Sequence, residues 1–195
     1  MGLASLILVL ALIAGRLLGG RLSLLGELPL AWGGLLVAAL LAQVSGALAS
    51  GLGPPAYTAG TVLCAVLGLA FAYRNRHLAG VPMAALGLLL NALVVAANGA
   101  IPVSAHAAAR AGVSAEDLGI GSGSKHEAMT PATALPFLGA VIPVPIPGGR
   151  EVDTPGDVLL AAGIGLLVVS GMLAGPRLGR RGRFHEPRPD ESPVL

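Results

Sequence analysis

The sequence predicts an all-α integral membrane protein with five transmembrane helices, an extracellular N-terminus and a cytoplasmic C-terminus. The first observation is composition: 54% of the 195 residues are hydrophobic, only 11% are charged, and the mean hydropathy is +0.81. A soluble domain carries about 25% charged residues, and a water-soluble fold of this length could not solvate so apolar a surface. The second observation is that five apolar runs fill most of the chain, which leaves no room for a second globular domain.

The clearest run covers residues 78–97, which carry no charge. At a rise of 1.5 Å per residue it forms a helix about 30 Å long, the thickness of the hydrocarbon core of a bilayer. A basic cluster of Arg74, Arg76 and His77 precedes the run, and Asn98 follows it. The run is therefore a predicted membrane helix with a marked inner end and a marked outer end.

The other spans are predicted at 2–18, 28–50, 56–73 and 155–174, with an outer loop at 98–154 and a disordered, basic cytoplasmic tail at 176–195. Residues 1–175 then form a single transmembrane bundle. No Lys or Arg precedes the first apolar run, although a signal peptide needs such a charge, so we expect a retained helix.

The positive-inside rule predicts the orientation. With the N-terminus outside, the cytoplasmic side holds Arg16, Arg21, Arg74, Arg76 and the five arginines of the tail, and the outer side holds Arg110, Lys125 and Arg150. Trp32, Tyr57 and Tyr73 lie at predicted helix ends, where aromatic side chains reach the headgroups. The many Ala, Gly, Leu and Arg residues suggest a G+C-rich bacterial genome, so we expect a multi-pass protein of the bacterial inner membrane.

The predicted outer loop is too long for a passive turn. Ser104 can cap an Ala-rich helical turn that Gly112 ends, and residues 114–117 resemble a second capped turn. We expect residues 119–124 to be flexible. Residues 134–147 are apolar but too rich in proline to span as a helix, and we expect them at the outer interface or dipping into the bundle.

Small and polar residues form stripes on three of the predicted helices. One stripe comprises Ala84, Gly87, Asn91, Val94 and Asn98, a second Gln43, Gly46 and Ser50, and a third Thr61, Cys64 and Gly68. Such residues let helices approach closely in lipid and hydrogen-bond across them, so we expect the three stripes to face one another. Packing is the favoured interpretation of the two asparagines, and a polar pathway or ligand contact is the alternative.

Thr154 and Asp157 fit the start of the last helix, with Thr as its cap, Pro155 at its first position and Asp near the positive end of its dipole. A functional acid at the outer face is the alternative. The candidate polar or ligand-contact residues are Asn91, Asn98, His106, Lys125, His126, Glu127 and Asp157. Their spacing matches no metal-binding or catalytic motif, so no catalytic residue, metal or cofactor is predicted.

The favoured function is non-enzymatic: a scaffold, an accessory subunit or a small-ligand binder. The middles of the predicted spans lack charges, which argues against proton relays and ion-coupled carriers. The alternative is a membrane enzyme or carrier that acts on a lipid or small solute at the outer interface through His106, His126, Glu127 and Asp157. The lipid bilayer is the expected partner, and another membrane protein is a further candidate; the net charge of +2 is too small to suggest nucleic acid.

Several motifs follow one another in the second two-thirds of the chain. They are Arg-Asn-Arg-His-Leu-Ala-Gly (74–80), Gly-Leu-Leu-Leu-Asn-Ala-Leu-Val-Val-Ala-Ala-Asn-Gly (87–99), Pro102-Val103, Lys125-His126 with Met129, Phe137-Leu-Gly with Ile142-Pro143, and Pro-Gly-Asp-Val-Leu-Leu (155–160). Together they resemble the bacterial membrane proteins catalogued as domain of unknown function 5317. The resemblance implies a multi-span membrane protein with no established activity. An Asp usually follows Phe-Leu-Gly in the family that these motifs resemble, whereas this chain has Ala140.

Overall fold

The computed structural model describes residues 2–52, 54–120, 125–146 and 149–174. Its helices are α1 (Leu3–Leu17), α2 (Gly33–Leu48), α3 (Pro54–Arg74), α4 (Val81–Asn98), α5 (Ala105–Ala111) and α6 (Pro155–Leu173). Its strands are β1 (Ile101–Val103), β2 (His126–Ala128), β3 (Ile142–Val144) and β4 (Glu151–Asp153), and 3-10 turns occur at Leu22–Glu27, Ala49–Leu52 and Pro136–Leu138. The tail predicted to be disordered lies outside the described residues.

Four helical segments are long and apolar enough to cross a membrane. They are Gly33–Gly51, Pro55–Arg74, Val81–Asn98 and Pro155–Leu173, and they match the second to fifth predicted runs. The first predicted run also forms a helix, α1, but its 15 residues span only about 22 Å, less than the hydrocarbon core of a bilayer. Four candidate spans are therefore confirmed, and the fifth stays a prediction.

Helices α4 and α6 pack backbone against backbone. A methyl group added to Gly87 would overlap the backbone of Gly156 and Leu160, and one added to Gly163 would overlap the backbone of Gly80 and Ala84. Small residues allow this close approach, and close packing drives helix association in lipid.

The stripe on α4 was expected to face α2 and α3, and this prediction is wrong for most of it. Ala84, Gly87 and Asn91 lie against α6, whereas Val94 packs with Tyr57 of α3. On another face of α4, Leu88 contacts Gly68 of α3. The physical reason is that α6 carries glycines at the matching level, so two small surfaces meet there. Helices α2 and α3 pack through a pair of glycines of their own, Gly46 and Gly60.

Helix α1 runs parallel to α6 along its length. At one end Gly2 lies against Glu151, which begins β4, the strand before α6. At the other end a methyl group on Gly15 would overlap the side chain of Met172, and the Arg21 N–H donates to the Met172 carbonyl at 2.9 Å. Residues 2–21 therefore cover the same distance along the bundle as α6 does.

Residues 99–153 fold over the end of the bundle where α4 ends and α6 begins, and we call their described part the cap. Strand β1 pairs in parallel with β2, and β3 pairs antiparallel with β4. The cap has a small core of its own, formed by Val103, Ala107, Ala111, Ala140 and Val152. The fold is thus mostly helical rather than all-α. Pro143 cannot donate within a helix but is tolerated in β3, a short strand with a single partner.

The short capped helix and turn predicted in the cap are confirmed. The Ser104 hydroxyl accepts from the Ala107 N–H at 3.4 Å, and Gly112 ends α5 at a φ of 70°. The Ser114 hydroxyl donates to the Asp117 carboxylate at 2.6 Å, which closes the second turn. Of the stretch predicted to be flexible, residues 121–124 lie outside the described residues.

Asn75 lies at the opposite end of the bundle and is fully buried. Its Nδ2 donates to the carbonyls of Phe71 at 2.8 Å and Ala31 at 2.9 Å, and its Oδ1 accepts from the Ala31 N–H at 2.9 Å. These bonds tie the end of α3 to the segment that precedes α2. No sequence argument had singled out this residue.

Two of the three aromatic residues predicted at helix ends are exposed there. Trp32 and Tyr73 are exposed, and they lie under the guanidinium groups of Arg74 and Arg76 at 5.0 and 4.6 Å. Tyr57 is only 4% exposed, so the prediction of headgroup contact is wrong for it. It packs in a cluster at the cap end of the bundle.

Candidate functional site

The start of α6 is built as a capping box, as the sequence predicted. The Thr154 hydroxyl accepts from the Asp157 N–H at 2.9 Å, and the Asp157 carboxylate accepts from the Thr154 N–H at 3.1 Å. Two backbone donors at the helix start are thereby satisfied. Pro155 occupies the first helical position, where a missing N–H costs nothing.

Asn91 of α4 completes this group across the helix interface. Its Nδ2 donates to Asp157 Oδ1 at 2.6 Å, and its Oδ1 accepts from the Thr154 hydroxyl at 2.7 Å. We call these three side chains the Asn91 ring. A methyl group on Gly156 would collide with the Asn91 amide, so the ring depends on a glycine at that position.

Every polar side-chain atom of the Asn91 ring has a partner within the chain. The amide uses its nitrogen and its oxygen, the hydroxyl both donates and accepts, and each carboxylate oxygen accepts one bond. Thr154 is 1% exposed, and a satisfied polar group in so dry a place stabilises one arrangement of the helices. The ring therefore fixes the start of α6 against α4.

A cleft of about 360 Å³ lies beside the ring, between the start of α1 and the start of α6. Gly2, Leu3 and Ser5 line it from α1, and three acidic residues, Glu151, Asp153 and Asp157, line it from the other side. The Glu151 carboxylate accepts a hydrogen bond from the Leu3 N–H. We call this space the acidic cleft.

Burial, together with the nearby carboxylates of Glu151 and Asp157, raises the pKa of Asp153 to about 7. Burial is the largest of these causes. At neutral pH this carboxyl group therefore exchanges readily between its neutral and charged forms. Neither Glu151 nor Asp153 was among the candidate residues predicted from the sequence. Their proximity to α1, about 150 positions away in the chain, has no local signal.

Asn98 does not belong to the ring. Its Nδ2 donates to the carbonyls of Val94 at 2.8 Å and Ala134 at 3.0 Å, and its Oδ1 accepts from the Ala134 N–H at 2.9 Å. The side chain thus fastens the cap to the end of α4. This is the arrangement that Asn75 makes with Ala31 at the other end of the bundle, at a more exposed place.

The other candidate residues lie in the cap and do not line the acidic cleft. His106 is exposed on α5, and Lys125 is exposed just before β2. His126 and Glu127 are half-buried in β2, and His126 Nδ1 lies 2.9 Å from the Leu118 carbonyl. Within the described ranges, no three His, Cys, Asp or Glu residues are placed to hold a metal ion.

The structure thus brings Asn91 and Asp157 together and leaves the remaining candidates apart. The fold and this site define a class of protein. It is mostly helical, has four candidate membrane spans, and carries a small cap over the end of the bundle where Asn91 and Asp157 join α4 to α6.

A family model described as a family of unknown function, DUF5317, matches residues 27–169, well over half of the chain. The chain belongs to this family, which confirms the resemblance drawn from its motifs. No curated protein and no solved structure matches it. Ala140, which follows Phe-Leu-Gly in this chain, is 1% exposed in the core of the cap.

Proposed function

We propose that this chain is a five-span protein of the bacterial inner membrane that acts without catalysis, as a scaffold, an accessory subunit or a small-ligand binder. The observation that carries the proposal is the use made of the polar groups where bundle and cap meet. The Asn91 ring joins α4 to the start of α6. Asn98 joins the end of α4 to the backbone of the cap. Groups so engaged hold a shape that a partner can recognise.

The course of α1 supports a fifth crossing. Because residues 2–21 accompany α6 from Glu151 to Met172, α1 and the turn after it reach as far as a helix that is itself long enough to span. The positive-inside rule supports a cytoplasmic location for the end that carries Arg16, Arg21 and Arg74, with the cap outside.

A second candidate is an enzyme or carrier that acts on a lipid or small solute at the outer interface. The acidic cleft favours it, because a carboxyl group whose pKa is about 7 suits general acid–base work at neutral pH. In this second candidate function, Asp153 transfers a proton. Asp157 both lines the cleft and accepts a hydrogen bond from Asn91.

Complementation of a deletion strain, measured beside the amount of folded protein in the membrane, separates the two. The variants are Asn91→Leu in the ring, Asp153→Asn in the cleft and Glu116→Gln as an exposed acidic control. A scaffold loses activity only in proportion to lost folded protein. Loss of activity in Asp153→Asn at an unchanged protein level would contradict a scaffold or accessory subunit and assign the activity to the acidic cleft, as the second candidate requires.

A further inference from the structure

We propose that residues 130–140 of the cap form an anchor that lies in the outer leaflet of the same bilayer that the helices cross. We call these residues the interface segment. The proposal rests on the membrane-spanning bundle proposed above, and it assigns a lipid contact to a part of the cap that would otherwise face water.

The first support is the exposed apolar surface of the segment. Phe137 is 65% exposed and Leu135 is 37% exposed, and Pro131 and Pro136 are exposed as well. No residue from 128 to 149 carries a charge. A water-facing stretch of that length carries about five charged residues at ordinary composition. Lipid is therefore the solvent that this composition suits.

The second support is the state of the backbone. Seven N–H groups between Thr130 and Ala140 donate to acceptors of the chain itself, including the Thr130 and Thr133 hydroxyls and the Asn98 amide. Irregular backbone is costly at the edge of the hydrocarbon unless its polar groups have partners. A solvated loop needs no such provision, because water satisfies its backbone.

The third support is position. The exposed leucines Leu86, Leu89 and Leu93 form a stripe along α4. The same helix ends at Asn98, whose side-chain amide bonds both the N–H and the carbonyl of Ala134. The interface segment is therefore held at the level where α4 and its exposed stripe end.

The fourth support is the placement of aromatic residues at the two ends of the bundle. Among the described residues, Trp32 and Tyr73 are the exposed aromatic side chains at the end of the bundle that carries Arg74, and Phe137 is the exposed one at the cap end. Trp and Tyr are enriched at both interfaces of membrane proteins, and segments that lie in the interface bury Phe and Leu at the headgroup boundary. Tyr57 is buried, so Phe137 is the described aromatic side chain available for such a contact at the cap end.

The test uses three variants in a Trp32→Phe background, each with a single tryptophan at a different depth. Each full-length variant is reconstituted in phosphatidylcholine vesicles. Phe137→Trp reports on the interface segment. Leu41→Trp is the control in the middle of α2, where the native side chain is 64% exposed, and His106→Trp is the control on the exposed face of α5. Quenching is measured with lipids brominated near the carbonyl, with lipids brominated near the chain end, and with aqueous iodide.

We expect lipids brominated near the carbonyl to quench Phe137→Trp several-fold more than iodide does. Leu41→Trp should be quenched most by lipids brominated near the chain end, and His106→Trp only by iodide. If the tryptophan of Phe137→Trp shows the same quenching pattern as that of His106→Trp, or is quenched by neither lipid nor iodide, the anchor is overturned and the bundle proposal is unaffected. If Leu41→Trp also escapes every brominated lipid, the bundle proposal fails and the anchor with it.

The Trp32→Phe background retains an aromatic ring over which Arg74 can lie. Should that background fail to fold, cysteines at the same three positions, introduced in a Cys64→Ala chain, carry a spin label instead. Greater accessibility of position 137 to oxygen than to a water-soluble nickel complex supports the anchor, and the reverse overturns it.

Discussion

Asn75 and Asn98 offer a matched pair for testing how burial sets the value of the same hydrogen bonds. Asn75 follows the last residue of α3, and Asn98 is the last residue of α4. Each side chain donates to the carbonyl four residues earlier and pairs with the N–H and C=O of a distant alanine. Asn75 is 0% exposed, whereas the bonds from Asn98 to Ala134 are open to solvent. Replacing either residue by alanine removes the same atoms and the same three bonds.

We expect Asn75→Ala to lower the free energy of unfolding by about 3 kcal/mol, because each lost bond contributes about 1 kcal/mol net and the buried backbone partners stay unsatisfied. Asn98→Ala should cost about 1 kcal/mol, since its bonds to Ala134 are exposed, and water among the detergent headgroups can replace the amide there. Asn75→Asp should be worse than Asn75→Ala at neutral pH, because its second oxygen would face the carbonyls of Ala31 and Phe71.

The assay is SDS-driven unfolding of the purified chain in mixed micelles, followed by far-ultraviolet circular dichroism. The midpoint and slope of each variant are compared with those of the unaltered chain at the same detergent composition. An Asn75→Ala loss equal to or smaller than that of Asn98→Ala would refute the argument that burial decides the difference. Recovery of Asn75→Asp on acidification, which protonates the new carboxylate, would support it.

Three further predictions concern helix packing and the acidic cleft. Gly163→Ala should lower the free energy of unfolding by about 1–3 kcal/mol through overpacking against α4, whereas Gly34→Ala, with open space around it, should not; SDS titration measures both. Stability should fall as the pH rises from about 4, the ordinary pKa of Asp, through about 7, the folded pKa of Asp153, because the folded state binds the proton more tightly. Asp153→Asn should remove that slope from the difference curve, and a slope that persists unchanged would contradict the assignment. A cysteine pair at Ala11 and Gly165, whose Cβ positions lie 3.6 Å apart, should form a disulfide in a chain otherwise free of cysteine; recovery of uncross-linked chain alone after oxidation would count against the parallel packing of α1 on α6.

Local patterns predicted much of the helical framework. The runs at 28–50, 56–73, 78–97 and 155–174 coincide with the four candidate spans, because length and hydropathy are properties of contiguous residues. The capping box at Thr154 and the caps of α5 were also predictable, since each involves residues three or four positions apart.

The candidate site was predictable only in its parts. Asn91 and Asp157 were each singled out, yet their contact joins residues 66 positions apart, and nothing local relates them. Asn91 was expected to face α2 and α3, and the cap was expected to lack strands. Both expectations failed because parallel and long-range pairings depend on which surfaces happen to match in space.

The sequence alone determined which segments are apolar rods and how each begins and ends, because hydropathy and capping act within a few residues along the chain. Only the tertiary structure decided which faces meet: α4 against α6 through glycines, Asn91 against Asp157, and α1 beside the acidic cleft. The physical reason is that lipid is as apolar as the helices themselves. Helix pairing is then decided by close fit and hydrogen bonds between distant residues rather than by hydrophobicity.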